Sequence, residues 1–169
     1  GKHFVSPISD RKMLILPGWF VDPANATGVV YSVPAHAPYD WLALNDLQKK
    51  PELLKEFGID PDEVKKIESI SMISVEGFGE YPAIELVERM GAKDQYDPKA
   101  EEATKLLYKK EFHGGVLKDI CGEYSGRMVY EVKESLIRDF KEKGISDSMY
   151  DLPQPVVCRC LTPCIVKVL

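Results

Sequence analysis

The chain has 169 residues, 44% hydrophobic and 29% charged, which suffices for one domain with its own core. No run of eighteen apolar residues occurs and no basic segment leads into an apolar one, so no membrane span or secretory signal is expected. A net charge of −5 excludes broad contact with a nucleic-acid backbone and leaves only local contact, at an end or a few nucleotides.

Residues 2–5 and 13–16 are predicted as short strands around a turn at Ser6-Pro7-Ile8-Ser9-Asp10. Val29 to Val33 reads as a β-branched, buried strand that ends on Pro34. A loop with a lone His follows, then a helix from about Pro38 to Lys49 with Trp41, Leu42, Leu44 and Leu47 as its apolar side. Asp60-Pro61-Asp62-Glu63 combines an N-cap, a Pro at the first helical position and a Glu at the capping-box position. Pro82 starts a helix that runs to Met90 and stops at Gly91. Asp97-Pro98 starts another, with Ala100, Ala103 and Leu107 on one side and Glu101 and Lys105 paired on the other. Val129, Val132, Leu136 and Phe140 recur at helical spacing within 128–143, and Gly144 ends that helix. Residues 156–159 and 164–169 read as two closing strands.

Strands near 2–33 and 156–169, with helices near 38–143 between them, predict one α+β domain over 1–169. Its strand core is joined by the termini, and a helical insertion packs on it. The first residues read as a strand in progress and Ile165 to Leu169 as a strand without a turn, so an excised piece of a longer protein is expected.

Asp40 falls in the first helical turn, where the helix dipole favours a carboxylate. It either binds a ligand ammonium or merely complements the helix end. His36, in the preceding loop, either positions a water or a ribose hydroxyl, or satisfies backbone groups of the loop. Thr27 and Gly28 offer a hydroxyl and a close backbone approach, or simply a tight turn. Ile73 to Tyr81, with two glycines among aromatics, is either a ligand-facing loop or a turn with packed aromatics. Cys158, Cys160 and Cys164 could hold zinc with Cys121 as a fourth ligand, but the spacing departs from CxxC and thiols are the default. With no secretory signal, disulfides are not expected, although Cys158 and Cys160 could oxidise; a cytosolic location is.

The order Asn25-Ala-Thr-Gly-Val-Val, Ser32-Val-Pro-Ala-His-Ala-Pro-Tyr-Asp40, Trp41-Leu-Ala-Leu-Asn-Asp-Leu47, Glu76-Gly-Phe-Gly-Glu-Tyr-Pro82, Ala103-Thr-Lys-Leu-Leu-Tyr-Lys109 and Val157-Cys-Arg-Cys160 covers the chain. It resembles the editing (connective polypeptide) domain of archaeal and eukaryotic cytosolic leucyl-tRNA synthetases. Valyl and isoleucyl enzymes share the general layout but not Val-Pro-Ala-His-Ala-Pro-Tyr-Asp. The resemblance implies part of an editing β-barrel that hydrolyses mischarged leucine tRNA. A pocket separates substrates differing by one methylene by only ~1–3 kcal/mol, so a second, hydrolytic pocket is needed. It implies that Asp40 binds the α-ammonium of the aminoacyl group and that Tyr31 and Val33 form the pocket wall. Catalytic roles fall to Asp40 and His36, and substrate binding to Thr27, Gly28, Tyr31 and Val33. The partners implied are the acceptor end of leucine tRNA and the rest of the synthetase; ATP and magnesium belong to the parent enzyme, and no cofactor to this segment. The family's Thr-x-Arg-Pro-x-Thr, HIGH and KMSKS motifs are absent from this sequence. It is therefore expected not to charge tRNA, to edit weakly or not at all alone, and to leave a sheet edge open to self-association. The rival expectations are a valyl or isoleucyl editing domain and a non-catalytic, zinc-bearing RNA-end binding module.

Overall fold

A computed structural model describes residues 1–24, 27–149 and 156–164. Strands β1 (Lys2–Val5) and β2 (Lys12–Ile15) form an antiparallel hairpin with Lys2 opposite Ile15. Its turn is held by Ser6, whose N–H donates to the Arg11 carbonyl and whose carbonyl accepts from Asp10 N–H. Helices α1 (Pro38–Lys49), α2 (Pro51–Glu56) and α3 (Pro61–Lys65) follow. Strand β3 (Ile73–Ser74) pairs antiparallel with β4 (Val116–Leu117). Between them run α4 (Pro82–Met90) and α5 (Pro98–Gly114). A 3-10 helix (Asp119–Tyr124) leads to α6 (Val129–Glu142), and β5 (Val156–Val157) pairs with β6 (Pro163–Cys164).

Proline sets the start of every helix from α1 to α5: it stands at a first helical position, where its missing N–H costs nothing. Asp60 and Asp97 add side-chain caps, accepting from Asp62 N–H and Lys99 N–H. Gly91 closes α4 in the left-handed conformation (φ 66°). Helix α2 escapes the sequence reading because Pro51 breaks the helical path at Lys50 (φ −121°, ψ 71°) and then starts a new helix at once.

The core is helical. Leu42, Val87 and Ala100 join α1, α4 and α5. Ala83, Leu86, Ala103 and Leu107 join α4 to α5, the alanines letting the two helices approach closely. Leu44, Leu47, Leu54, Ile59 and Val64 form a further cluster, against which Leu14 and Leu16 pack. Phe78 packs on the α4–α5 cluster beneath the Arg89 guanidinium, whereas Tyr81 is exposed, so the stretch from Ile73 to Tyr81 is a short strand and a turn with one packed aromatic. Helix α6 turns its apolar face toward α5, yet only Val132 is buried. Leu136, Ile137, Phe140 and Phe112 line an open groove of about 470 Å³.

The mixed α and β arrangement is as expected, but among the described residues the strands form three separate two-stranded sheets and no closed barrel, and the buried apolar side chains sit mainly on helices. Two-stranded ribbons bury too little surface to act as a core alone. The stretch from Val29 to Val33 is neither a strand nor buried. Val29 is 71% exposed, and no neighbouring strand among the described residues pairs with this stretch. The closing strand expected over 164–169 lies outside the described residues beyond Cys164.

Capping gives a pH-dependent expectation. Backbone N–H bonds from Lys99 and Lys93 hold the Asp97 carboxyl below its ordinary pKa. A depressed folded-state pKa contributes stability above the unfolded value, lost as pH falls through the folded one. Asp97→Ala therefore lowers the melting temperature near neutral pH, and the difference from the parent chain closes as pH falls through the depressed folded-state pKa of Asp97. Melting curves across the acid range check it; a difference that does not change with pH would rule out the ionised cap.

Candidate functional site

The candidate site is built on the turn that feeds α1. The Val33 carbonyl accepts from His36 N–H and Ala37 N–H, both at 2.9 Å, and Ala35 accepts from Ala83 N–H of α4 at 3.0 Å. The turn is thereby clamped to the helical core. Asp40, one turn further on, is 7% exposed, and its Oδ2 accepts from Val33 N–H at 2.6 Å. The carboxylate thus reaches back across the turn instead of capping its own helix. Burial pushes its pKa up, against the Val33 N–H and the Ser32 side chain, which pull it down. Among the described residues no Lys, Arg or His pairs with Asp40. A buried carboxylate with hydrogen bonds but no cation is suited to receive a ligand cation.

His36 is 4% exposed and committed on both nitrogens. Its Nε2 accepts from Met72 N–H at 2.8 Å and from Ile73 N–H at 3.3 Å, and its Nδ1 lies 2.6 Å from Glu111 Oε1. Backbone N–H groups only donate, so Nε2 is the acceptor and the proton sits on Nδ1, donated to Glu111. No ring nitrogen is free for a water or a ribose hydroxyl in this arrangement.

The other expected residues line the outer side of the turn. Thr27 Oγ1 exchanges hydrogen bonds with the backbone of Val29, a local hydroxyl turn. Gly28 has φ +67°, and a Cβ there would meet the Pro23 carbonyl oxygen at 2.9 Å, so a tight turn alone requires the glycine. Tyr31 and Val33 are exposed; the Tyr31 ring meets Phe4 edge-on at 5.7 Å. The structure thus brings Val33 and Asp40 into contact, sets His36 behind them, and leaves Tyr31 open to solvent. Asn25 and Ala26 of the same motif lie outside the described residues.

The sequence reading missed two neighbours, both on α5. Glu111 continues the buried stripe of Ala100, Ala103 and Leu107, and a charged residue at a core position of that spacing was the available signal. Tyr108 has its phenol pKa raised by burial first, then by the charges of Asp40 and Glu111. Nothing local in the sequence singles it out.

The cysteines depart from expectation. Cys158 and Cys160 form a disulfide instead of remaining thiols; their Cα atoms, 5.3 Å apart, are within reach of a bridge. Cys164 is an exposed thiol, and Cys121 donates to the Met72 carbonyl. Among the described residues no group of three or more His, Cys, Asp or Glu comes together to hold a metal. No helix among them is long and apolar enough to cross a membrane.

No protein-family model matches the chain. A leucine–tRNA ligase of Methanococcoides burtonii is 52% identical over 167 residues, covering 99% of this chain and 17% of that protein. The chain is homologous to one segment of the leucyl-tRNA synthetases. It spans less than a fifth of the length of the curated relatives it matches. The crystal structure of GlLeuRS-CP1 superimposes with a TM-score of 0.75 at 23% identity, over 90% of this chain and 58% of that one. The editing domain of the cytosolic leucyl-tRNA synthetase of P. knowlesi gives 0.73 at 24% identity, over 82% of this chain and 46% of that one. At these identities the likeness carries the fold: a mixed α and β arrangement shared with synthetase editing domains.

Proposed function

We propose that this chain forms one wall of the editing site of a longer leucyl-tRNA synthetase, which hydrolyses tRNA mischarged with an amino acid close to leucine. The observation that carries the reading is Asp40: a buried carboxylate, held by Val33 N–H and unpaired with any cation among the described residues. An aminoacyl ester ends in an α-ammonium group, and that cation satisfies the carboxylate. Tyr31 and Val33, exposed beside it, meet the amino-acid side chain, and Thr27 and Gly28 shape the entrance. His36 holds the turn from behind, and a positioned water attacks the ester carbonyl.

In the same reading, Val29 to Val33 pairs with a strand supplied by the rest of the parent and completes the barrel there. The chain is then one part of an editing domain. Its partners are the acceptor end of leucine tRNA and the remaining synthetase, in the cytoplasm. ATP and magnesium would serve the parent's charging reaction. Among the described residues no cluster of carboxylates suits a magnesium ion, so no step here runs through them.

The test compares hydrolysis of isoleucyl- and leucyl-tRNA specific for leucine by the longer synthetase with and without Asp40→Ala. Selective hydrolysis that disappears in the variant supports the reading. Unchanged hydrolysis reduces Asp40 to a carboxylate that braces the turn.

A further inference from the structure

Glu111 lies 75 positions from His36 in sequence, and both side chains are about 5% exposed. The pair ties the turn before α1 to the far end of α5. From Glu111 the path runs through Nδ1–H of His36, then through the ring to the N–H groups of Met72 and Ile73. His36 N–H donates to the Val33 carbonyl, and Val33 N–H is the group that holds Asp40 Oδ2. Each link is a hydrogen bond between named groups; His36, Glu111 and Asp40 are buried, while Val33 and Met72, which take part through their backbone, are exposed residues.

We infer that Glu111 is a positioning residue for the Asp40 carboxylate, acting through His36; the inference rests on the editing reading of Asp40. Glu111 fixes the Nδ1–H tautomer, and only that tautomer leaves Nε2 free to accept from the N–H groups of Met72 and Ile73. Without the Glu111 acceptor, Nδ1–H is buried and unpaired. The ring then either moves its proton to Nε2, losing two backbone bonds, or rotates out of place. In both cases the turn from Val33 to Ala37 shifts, and Asp40 with it. A misplacement near 1 Å costs on the order of a hundredfold in rate.

The experiment places Asp40→Ala, Glu111→Leu and Glu111→Gln in the synthetase that carries this chain and follows hydrolysis of isoleucyl-tRNA specific for leucine. Gln keeps a carbonyl acceptor for Nδ1–H. Glu111→Leu is expected to lower the editing kcat between about tenfold and a hundredfold while KM for the tRNA stays within about twofold, since the rest of the tRNA interface is intact. Glu111→Gln stays within about threefold of the parent. Nitrogen NMR of the His36 ring in the chain should show Nδ1–H in the parent and the Gln variant, and its loss with Leu.

A Leu variant that edits like the parent while folded overturns the inference. So does a Gln variant that falls as far as Leu, or a His36 protonated on Nε2 in the parent. If Asp40→Ala also edits like the parent, the editing reading fails and the inference falls with it. If Asp40→Ala is impaired and Glu111→Leu is not, the inference fails alone.

Discussion

Asp40→Asn is expected to abolish selective editing in the longer synthetase without lowering the melting temperature of the chain. Asn keeps the size of the side chain and an oxygen that accepts from Val33 N–H, the bond that now measures 2.6 Å. It removes the charge that an α-ammonium needs. Truncating one partner of a buried, hydrogen-bonded charge pair costs ~2–5 kcal/mol. At ~1.4 kcal/mol per tenfold, hydrolysis falls by at least about thirtyfold. The stability side follows from the sign of the pKa shift. Burial raises the Asp40 pKa above its ordinary value, the Val33 and Ser32 hydrogen bonds notwithstanding. A raised folded-state pKa means that the folded chain binds the proton more tightly than the unfolded chain. Stability is then full below the unfolded pKa and declines as pH rises through the folded one. Asn resembles the protonated form at every pH, so the variant melts no lower than the parent near neutral pH. Asp40→Ala loses editing as well, but it also strands Val33 N–H, at ~1–3 kcal/mol. Parallel deacylation assays and melting curves separate these cases. An Asn variant that still discriminates isoleucyl- from leucyl-tRNA would leave the carboxylate with a bracing role only.

Leu107→Ala is the substitution expected to destabilise the fold most. Leu107 is fully buried between α4 and α5, among Ala83, Leu86 and Ala103. Three small or tightly fitted neighbours leave little room for collapse into the space it vacates. Large-to-small core changes of this kind cost ~2–5 kcal/mol. For a chain of this length that is a melting shift of roughly 4–20 °C, at ~2–4 °C per kcal/mol. The effect also reaches the site, because Tyr108 and Glu111 ride on the same helix. Calorimetry of the variant beside Tyr31→Ala, whose side chain is half exposed, gives the contrast. Equal shifts for the two would contradict the packing of α5 as the centre of the fold.

Helices α1, α3, α4, α5 and α6 were legible, unlike α2, because their signals are local. Pro38, Pro61, Pro82 and Pro98 mark starts, Asp60 and Asp97 cap, and Gly91 stops, each acting on backbone a few residues away. Asp40 was legible for the same reason, as an acid in a first helical turn. The likeness of the Asn25 to Asp40 string to leucyl enzymes was legible too, and relatives near 50% identity agree with it. β-branching marked Val29 to Val33 as a buried strand, and it is neither a strand nor buried.

Tertiary structure alone decided whether the segment from Val29 to Val33 has a neighbour. A strand requires a second backbone at hydrogen-bonding distance, and no local pattern states whether one arrives. It also decided what His36 does. Its ring could have faced a ligand or the interior; the choice was made by Glu111 and by the backbone of Met72 and Ile73, all remote in sequence, whose groups left no nitrogen unclaimed. The sequence by itself therefore determined where the helices begin, which acid opens α1 and which synthetase segment the chain resembles. Folding determined that this acid is buried without a cation among the described residues, because burial and pairing are properties of what packs alongside a residue, not of its neighbours in the chain.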